Sequence, residues 1–461
     1  MSETIKAKVL VLGSGPGGYV AAIRAGQLGL DTVLVESERL GGVCLTRGCI
    51  PSKALIHAAE TFAQVRQAAA GAHLGVQVRG EVSLDLARTM AWKDAIVDRL
   101  CGGVGGLLRR AKVKVEPGWG VFTDAKTCRV RRPDGAEVVV RAEHVVLATG
   151  SEPVHLPALP WSQAVISSTE ALSLSSAPTR LAVVGAGYIG LELGMAFRKL
   201  GSEVAVFEAS DRILAQYDPA LTAPVRKALE QSGVELHLGA KVGGYEDGRI
   251  LAEVAGEPLA WAADKVLVTV GRRPRTQGWG LETMGVDLDG GFVKVDDRCR
   301  TSMRNVWAIG DLVGEPMLAH KASAQGELVA ELIAGHGGRF DPRAIPAICF
   351  TDPEIVSVGA APPATEVIAA SFPLAANGRA LTLAEEAGDG FIRVTAAAGD
   401  HRLLAIEAVG RQVSELSGEM VALLEMGAVL EDLVGMIHAH PTQSEALREA
   451  ALRALGQAVH V

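Results

Sequence analysis

KVLVLGSGPGGYVAAIRAGQLGLDTVLVES, residues 8–37, is the stretch from which the fold can be read. KVLVL reads as a strand, GSGPGG as a glycine-rich turn, YVAAIRAGQLG as an amphipathic helix, and DTVLVES as a second strand ending on the acid Glu36. Together they make one βαβ unit. Residues 180–210 repeat the grammar as RLAVV, GAGYIG, LELGMAFRKLG and SEVAVFEAS. The step from first glycine to acid is 23 residues in both copies, Gly13 to Glu36 and Gly185 to Glu208. In each GxGxxG the first glycine (Gly13, Gly185) permits the tight turn, and the second (Gly15, Gly187) lets the backbone approach a pyrophosphate. The third (Gly18, Gly190) lets the helix sit close to the strand, so that the N–H groups at its start face the phosphates. One copy alone would also suit a sugar- or effector-binding domain. Two copies in the same context imply two bound dinucleotides. A carboxylate at Glu208 would repel a 2′-phosphate, so NAD is expected there over NADP.

Outward from these units, a helical region (residues 50–110) and a β-rich stretch ending in HVVLATGSEP separate the two copies, and a strand-and-turn region follows the second as far as VWAIGD at 306–311. From about Ala347 alternating strands (GFIRVTA, RLLAIEAVG) give way to helices around 414–426 and 442–455. The whole is expected to be an α/β protein with two Rossmann-like dinucleotide-binding domains, the first interrupted by the second, and a C-terminal α+β domain. The expected boundaries are 1–150, 151–275, 276–346 and 347–461. The chain has 461 residues, enough for several cores, and 53 glycines, many of them in turns and close approaches to ligand. Its 45 basic against 53 acidic residues, a net charge of −8, argue against a nucleic-acid or anionic-membrane binder. No apolar run reaches the roughly 18 residues of a membrane span, and no targeting pattern stands at the N-terminus. Six cysteines are too few for a disulfide scaffold, so a reducing, cytoplasmic setting is expected, where a disulfide would be catalytic.

GGVCLTRGCIPSK, residues 41–53, places Cys44 and Cys49 five apart. On a regular helix that offset separates the Cα atoms by about 8–9 Å, beyond the ~6.8 Å reach of a disulfide. A bond between them therefore needs a distortion, for which Gly48 supplies backbone freedom and Pro51 removes a helical N–H. A strained bond there would be exchangeable. The residues alone also allow two buried free thiols or half a metal site, although no second Cys/His pair stands at zinc spacing and no metal is expected. Near the C-terminus, HAHPTQSE brings His440 within five residues of Glu445. A carboxylate on one imidazole nitrogen would fix the tautomer and leave the other to take a proton from a thiol. The same pair would also serve as a helix cap. His320 and His438 read as structural.

The combination resembles the flavin-dependent pyridine nucleotide–disulfide oxidoreductases, and among them those that oxidise dihydrolipoamide. The first fingerprint, GCIPSKAL from Gly48, ATG at 148–150, GYIGLELG from Gly187, AIGD at 308–311 and HAHPTQSEA from His438 carry the resemblance over nearly the whole chain. It implies FAD held by Gly13, Gly15, Gly18, Glu36, Gly42, Gly118, Thr149, Gly150, Asp311 and Ala319. It implies NAD lined by Gly185, Gly187, Ile189, Gly190, Glu192, Glu208, Val242 and Gly271. Cys44 would exchange with the lipoyl sulfurs and Cys49 would lie against the flavin. Lys53, paired with Glu192, would approach the flavin. His440, backed by Glu445, would come from the partner subunit of a homodimer, with a cis His440–Pro441 peptide. The resemblance further implies a lipoyl domain of a dihydrolipoyl acyltransferase as partner, within a 2-oxo acid dehydrogenase complex. AWKDAIVDRL (91–100) is most similar to the branched-chain version. An NADPH-dependent disulfide or mercuric reductase shares the cysteines, but Glu208 and the QAVHV terminus speak against it. An idle structural subunit would not need every catalytic group. Val43, Thr46 and Arg47 depart from the usual GGTCLNVGC, and Arg47 would favour thiolate.

Overall fold

In the computed structural model, residues 3–71, 74–383 and 389–461 are described. The first βαβ unit forms as its sequence dictates. The strand Glu3–Leu12 pairs in parallel with Thr32–Glu36 on one side and Glu137–Leu147 on the other, and Pro16–Gln27 is the intervening helix. Its alternate residues Val9 and Val11 face one apolar layer, and Leu10 and Leu12 the other. Burial on both faces is what makes such a strand a continuous apolar run. Fully burying a side chain such as Leu10 is worth roughly 1.5–3 kcal/mol.

The hairpin Trp119–Asp124 and Thr127–Arg131 extends the sheet antiparallel beyond Glu137–Leu147. The short strand Val306–Ala308, more than 150 residues later, returns to pair in parallel with Val145–Leu147. The first dinucleotide unit is thus interrupted and then completed. The second unit builds a separate parallel sheet in the order Glu235–Leu238, Glu203–Glu208, Arg180–Val184, Lys265–Val268 and Val165–Ile166. A three-stranded antiparallel meander, Lys241–Glu246, Arg249–Val254 and Glu257–Ala262, packs on it.

The C-terminal part is a five-stranded antiparallel sheet in the order Ala347–Cys349, Glu354–Gly359, Leu403–Gly410, Phe391–Ala397 and Val367–Pro373. The helices Ser417–Glu425, Leu430–Gly435 and Glu445–Ala454 share its apolar core. Among the described residues no helix is long and apolar enough to cross a membrane, and no group of three or more His, Cys, Asp or Glu is placed to hold a metal ion.

Candidate active site

The two glycine turns have nearly superimposable chemistry. A Cβ on Gly18 would fall 1.9 Å from the Gly13 carbonyl oxygen, and one on Gly190 would fall 2.2 Å from that of Gly185. Only glycine lets helix and turn approach so closely. At Gly15 and Gly187, by contrast, a Cβ would meet no atom within 4 Å. Each middle glycine opens onto free space at a helix N-terminus, which is the shape of a pyrophosphate cradle. The acids match as well. One Glu36 oxygen accepts from the Ser14 N–H at 2.8 Å and the other from the Glu38 N–H at 2.8 Å. Glu208 accepts from the Ala186 N–H at 2.6 Å and the Ser210 N–H at 2.8 Å. Each carboxylate is fixed by backbone yet keeps lone pairs for ribose hydroxyls.

The first cradle runs into a deep cavity. Gly13, Gly15, Gly18, Glu36, Gly42, Gly118, Thr149, Gly150, Asp311 and Ala319 line it, together with Cys44, Cys49 and Lys53. From the second βαβ unit the helix start lines the cavity, through Tyr188, Ile189, Glu192 and Leu193; Gly185, Gly187, Gly190, Glu208, Val242 and Gly271 lie outside the lining. Val242 sits in the meander, paired with Ala252. Tyr188, Arg272 and Ser151 are among the lining residues not read from sequence. Ser151 donates its hydroxyl to Asp311 and accepts from Arg272 at 2.8 Å.

The cysteine segment is two helices, Gly42–Arg47 and Cys49–Ala69, broken at Gly48. Gly48 has φ −135° and ψ −111°, and a Cβ there would lie 2.9 Å from the Val43 carbonyl oxygen. Cys44 and Cys49 are both free thiols, and the Cys44 thiol donates to Cys49. That bond, reinforced by burial, pushes Cys44 well above the thiol range. The same bond, with the Lys53 charge, brings Cys49 down to about 7 although burial opposes it. One thiolate is therefore expected to appear as pH rises through about 7, on Cys49, while Cys44 keeps its proton. The ultraviolet thiolate absorbance of the dithiol protein, compared with Cys49→Ser, checks this.

Lys53 Nζ is 2.7 Å from Glu192 Oε2 and lies over the Phe350 ring at 4.4 Å. Arg47 corrects the expectation from sequence, because it pairs with Glu38 and Lys53 is the cation acting on Cys49. The Thr46 hydroxyl bonds the Gly42 carbonyl at 2.7 Å. His440 Nδ1 is 2.9 Å from Glu445 Oε1, and the His440–Pro441 peptide is cis. Burial pushes the Glu445 carboxyl up, but the Thr442 N–H and His440 hold it below its ordinary value. Neither residue is among the described residues lining the cavity, and the His440 side chain is 79% exposed. His320 bonds the Pro346 carbonyl and His438 bonds Glu419.

Comparison with known proteins gives a family. The sequence model described as pyridine nucleotide-disulphide oxidoreductase matches residues 7–326, and the dimerisation domain of the same description matches residues 345–451. A dihydrolipoyl dehydrogenase of Pseudomonas aeruginosa is 58% identical, with 100% of both chains covered. One of Geobacillus stearothermophilus is 43% identical over 99% of this chain and 98% of its own. Among solved structures, LpdA from Mycobacterium tuberculosis superposes with a TM-score of 0.88 at 24% identity, covering 97% of this chain and 99% of its own. At that identity the likeness concerns the fold alone.

Proposed function

Since the chain belongs to the pyridine nucleotide-disulphide oxidoreductases, we propose that its activity is that of a dihydrolipoyl dehydrogenase. Dihydrolipoamide and NAD⁺ are converted to lipoamide, NADH and a proton. The observation that carries this reading is the cysteine pair, Cys44 and Cys49 on two helices broken at Gly48, in one cavity with the first dinucleotide cradle, Lys53 and Glu192.

The open space at Gly15, the helix start behind it and the anchored Glu36 fit FAD, which Gly13, Gly18, Gly42, Gly118, Thr149, Gly150, Asp311 and Ala319 would also hold. Gly185, Gly187, Gly190 and Glu208 fit NAD, with Ile189, Val242 and Gly271 around it. When bound, FAD supplies two-electron chemistry between a dithiol and a nicotinamide.

The chain's own residues handle the sulfurs and protons. His440 of the partner subunit, oriented by Glu445, takes a proton from a substrate thiol. The resulting thiolate attacks Cys44 of the Cys44–Cys49 disulfide, and Cys49 leaves as thiolate, which Lys53 stabilises. The second substrate sulfur then attacks the mixed disulfide. Lipoamide departs as Cys44 leaves and takes up the imidazolium proton, and the neutral His440 of the partner subunit accepts the proton of the second substrate thiol. Lys53 and Glu192 keep a compensated charge pair beside Cys49, so its negative charge is not left alone in a buried site.

The C-terminal domain makes a homodimer. The exposed Met436 and the fully exposed Ile437 precede His438 and suit a face that a second copy covers. A lipoyl domain of a 2-oxo acid dehydrogenase complex in the cytoplasm is the proposed source of substrate.

Initial rates with dihydrolipoamide test the reading. NAD is expected to exceed NADP by at least ~100-fold, because Glu208 meets a 2′-phosphate as a like charge. In Glu208→Gln that ratio is expected to narrow. No NAD reduction by the flavin-loaded dimer would defeat the reading.

A further inference from the structure

The helices Cys49–Ala69 and Tyr188–Lys199 are linked by two charge pairs, Lys53 with Glu192 and Glu60 with Lys199. The step is seven residues on both helices, so they run parallel with rungs about 10.5 Å apart. The polarity reverses between rungs. The first helix carries the cation in one pair and the anion in the other.

This reversal specifies register. A slip of one rung would set Lys53 against Lys199, or Glu60 against Glu192, like against like in either direction. Each rung also reaches the turn that joins the strands Ala347–Cys349 and Glu354–Gly359 of the C-terminal sheet. Glu192 Oε1 accepts from the Phe350 N–H at 2.9 Å, and Lys199 Nζ meets Asp352 Oδ2 at 2.5 Å. Arg411 approaches Glu60 at 3.8 Å, while its carbonyl accepts from Gln443, two residues from Glu445.

A single exposed pair contributes little, whereas a partly buried network of several charges fixes geometry. Lys199 sits in such a network. Burial draws its ammonium down, and Asp352 and Glu60 more than offset this. Its side chain is only 22% exposed. It lies outside the cavity lining and outside both glycine cradles.

We propose that Lys199, held between Glu60 and Asp352, is a positioning residue that fixes the axial register of the two helices, and so keeps Glu192 on Lys53 and Lys53 beside Cys49. The proposal rests on the roles given above to Cys49 and Lys53.

The test compares Lys199→Met and Lys199→Arg with the parent as FAD-loaded dimers. In Lys199→Met the Cys49 thiolate titration is expected to move up by about one unit, because the Lys53 charge is less well placed. kcat is expected to fall about tenfold with the KM for NAD unchanged. Lys199→Arg is expected to restore both. A folded, flavin-loaded Lys199→Met with the parent's titration would overturn the proposal, as would an Arg variant shifted as far as Met. Should Lys199→Met not fold, Glu60→Gln leaves the Lys199–Asp352 pair in place and is expected to shift the titration in the same direction; an unshifted titration there would overturn the proposal too. The titration needs no dithiol substrate, so a parent enzyme inactive on dihydrolipoamide would count against the reaction and not against the register.

Discussion

Replacing Cys44 by serine is expected to lower dihydrolipoamide oxidation by about 10⁴-fold or more. A hydroxyl cannot close a disulfide with Cys49, so the two electrons of the substrate dithiol have no acceptor bond to enter. The effect should fall on kcat. Cys44 sits on the short helix Gly42–Arg47, no atom lies within 4 Å of the Cβ position at either middle glycine, and serine is smaller than cysteine, so both dinucleotide sites are expected to stand. NADH oxidation by an artificial dye is therefore expected to persist, which separates lost exchange chemistry from lost folding. Retention of more than about a tenth of the lipoamide rate would remove Cys44 from the mechanism.

His440→Gln is expected to reduce turnover by about 10²–10⁴-fold, the usual contribution of a positioned base. Its larger consequence concerns subunits. His440, strongly exposed, and Glu445, at the start of the helix Glu445–Ala454, stand outside the lining of the cavity that holds both cysteines. If the base serves the opposite subunit, then Cys44→Ser and His440→Gln protomers, each inactive alone, should complement on mixing. A mixed dimer combines the intact cysteines of one chain with the intact histidine of the other. Half of a random population is mixed, with one competent site of two, so unfolding and reassembling equal amounts should recover about a quarter of parental activity. If each subunit used its own His440, no mixture would recover activity.

The dinucleotide cradles were legible because everything that defines them lies within one βαβ stretch. The turn, the helix start and the acid at the end of the next strand are set by local chain geometry, and the spacing alone reveals them twice. The Cys44–Cys49 offset demanded a distortion, and the structure supplies it as a helix broken at Gly48.

Arg47 was misread for a related reason. Closeness to two cysteines in sequence does not point a side chain at either sulfur, and the break at Gly48 puts Arg47 and Cys49 on different helices. At the end of its short helix Arg47 turns to Glu38. Ser151, Arg272 and Phe350 left no signal at all. Their partners lie more than 100 residues away along the chain, and no spacing rule joins such distances.

The near-identity of the two glycine turns carries a kinetic consequence. Equal cradles grip a pyrophosphate in the same way, so how long each dinucleotide stays depends on what closes around the rest of it. At the first turn the returning segment of Asp311 and Ala319 encloses the cavity with Gly118 and Thr149. At the second, the cradle glycines and Glu208 stay outside that enclosure. The dinucleotide at the first turn is therefore expected to dissociate far more slowly than the one at the second, so that a repeated motif would give one molecule both a lasting occupant and a passing visitor.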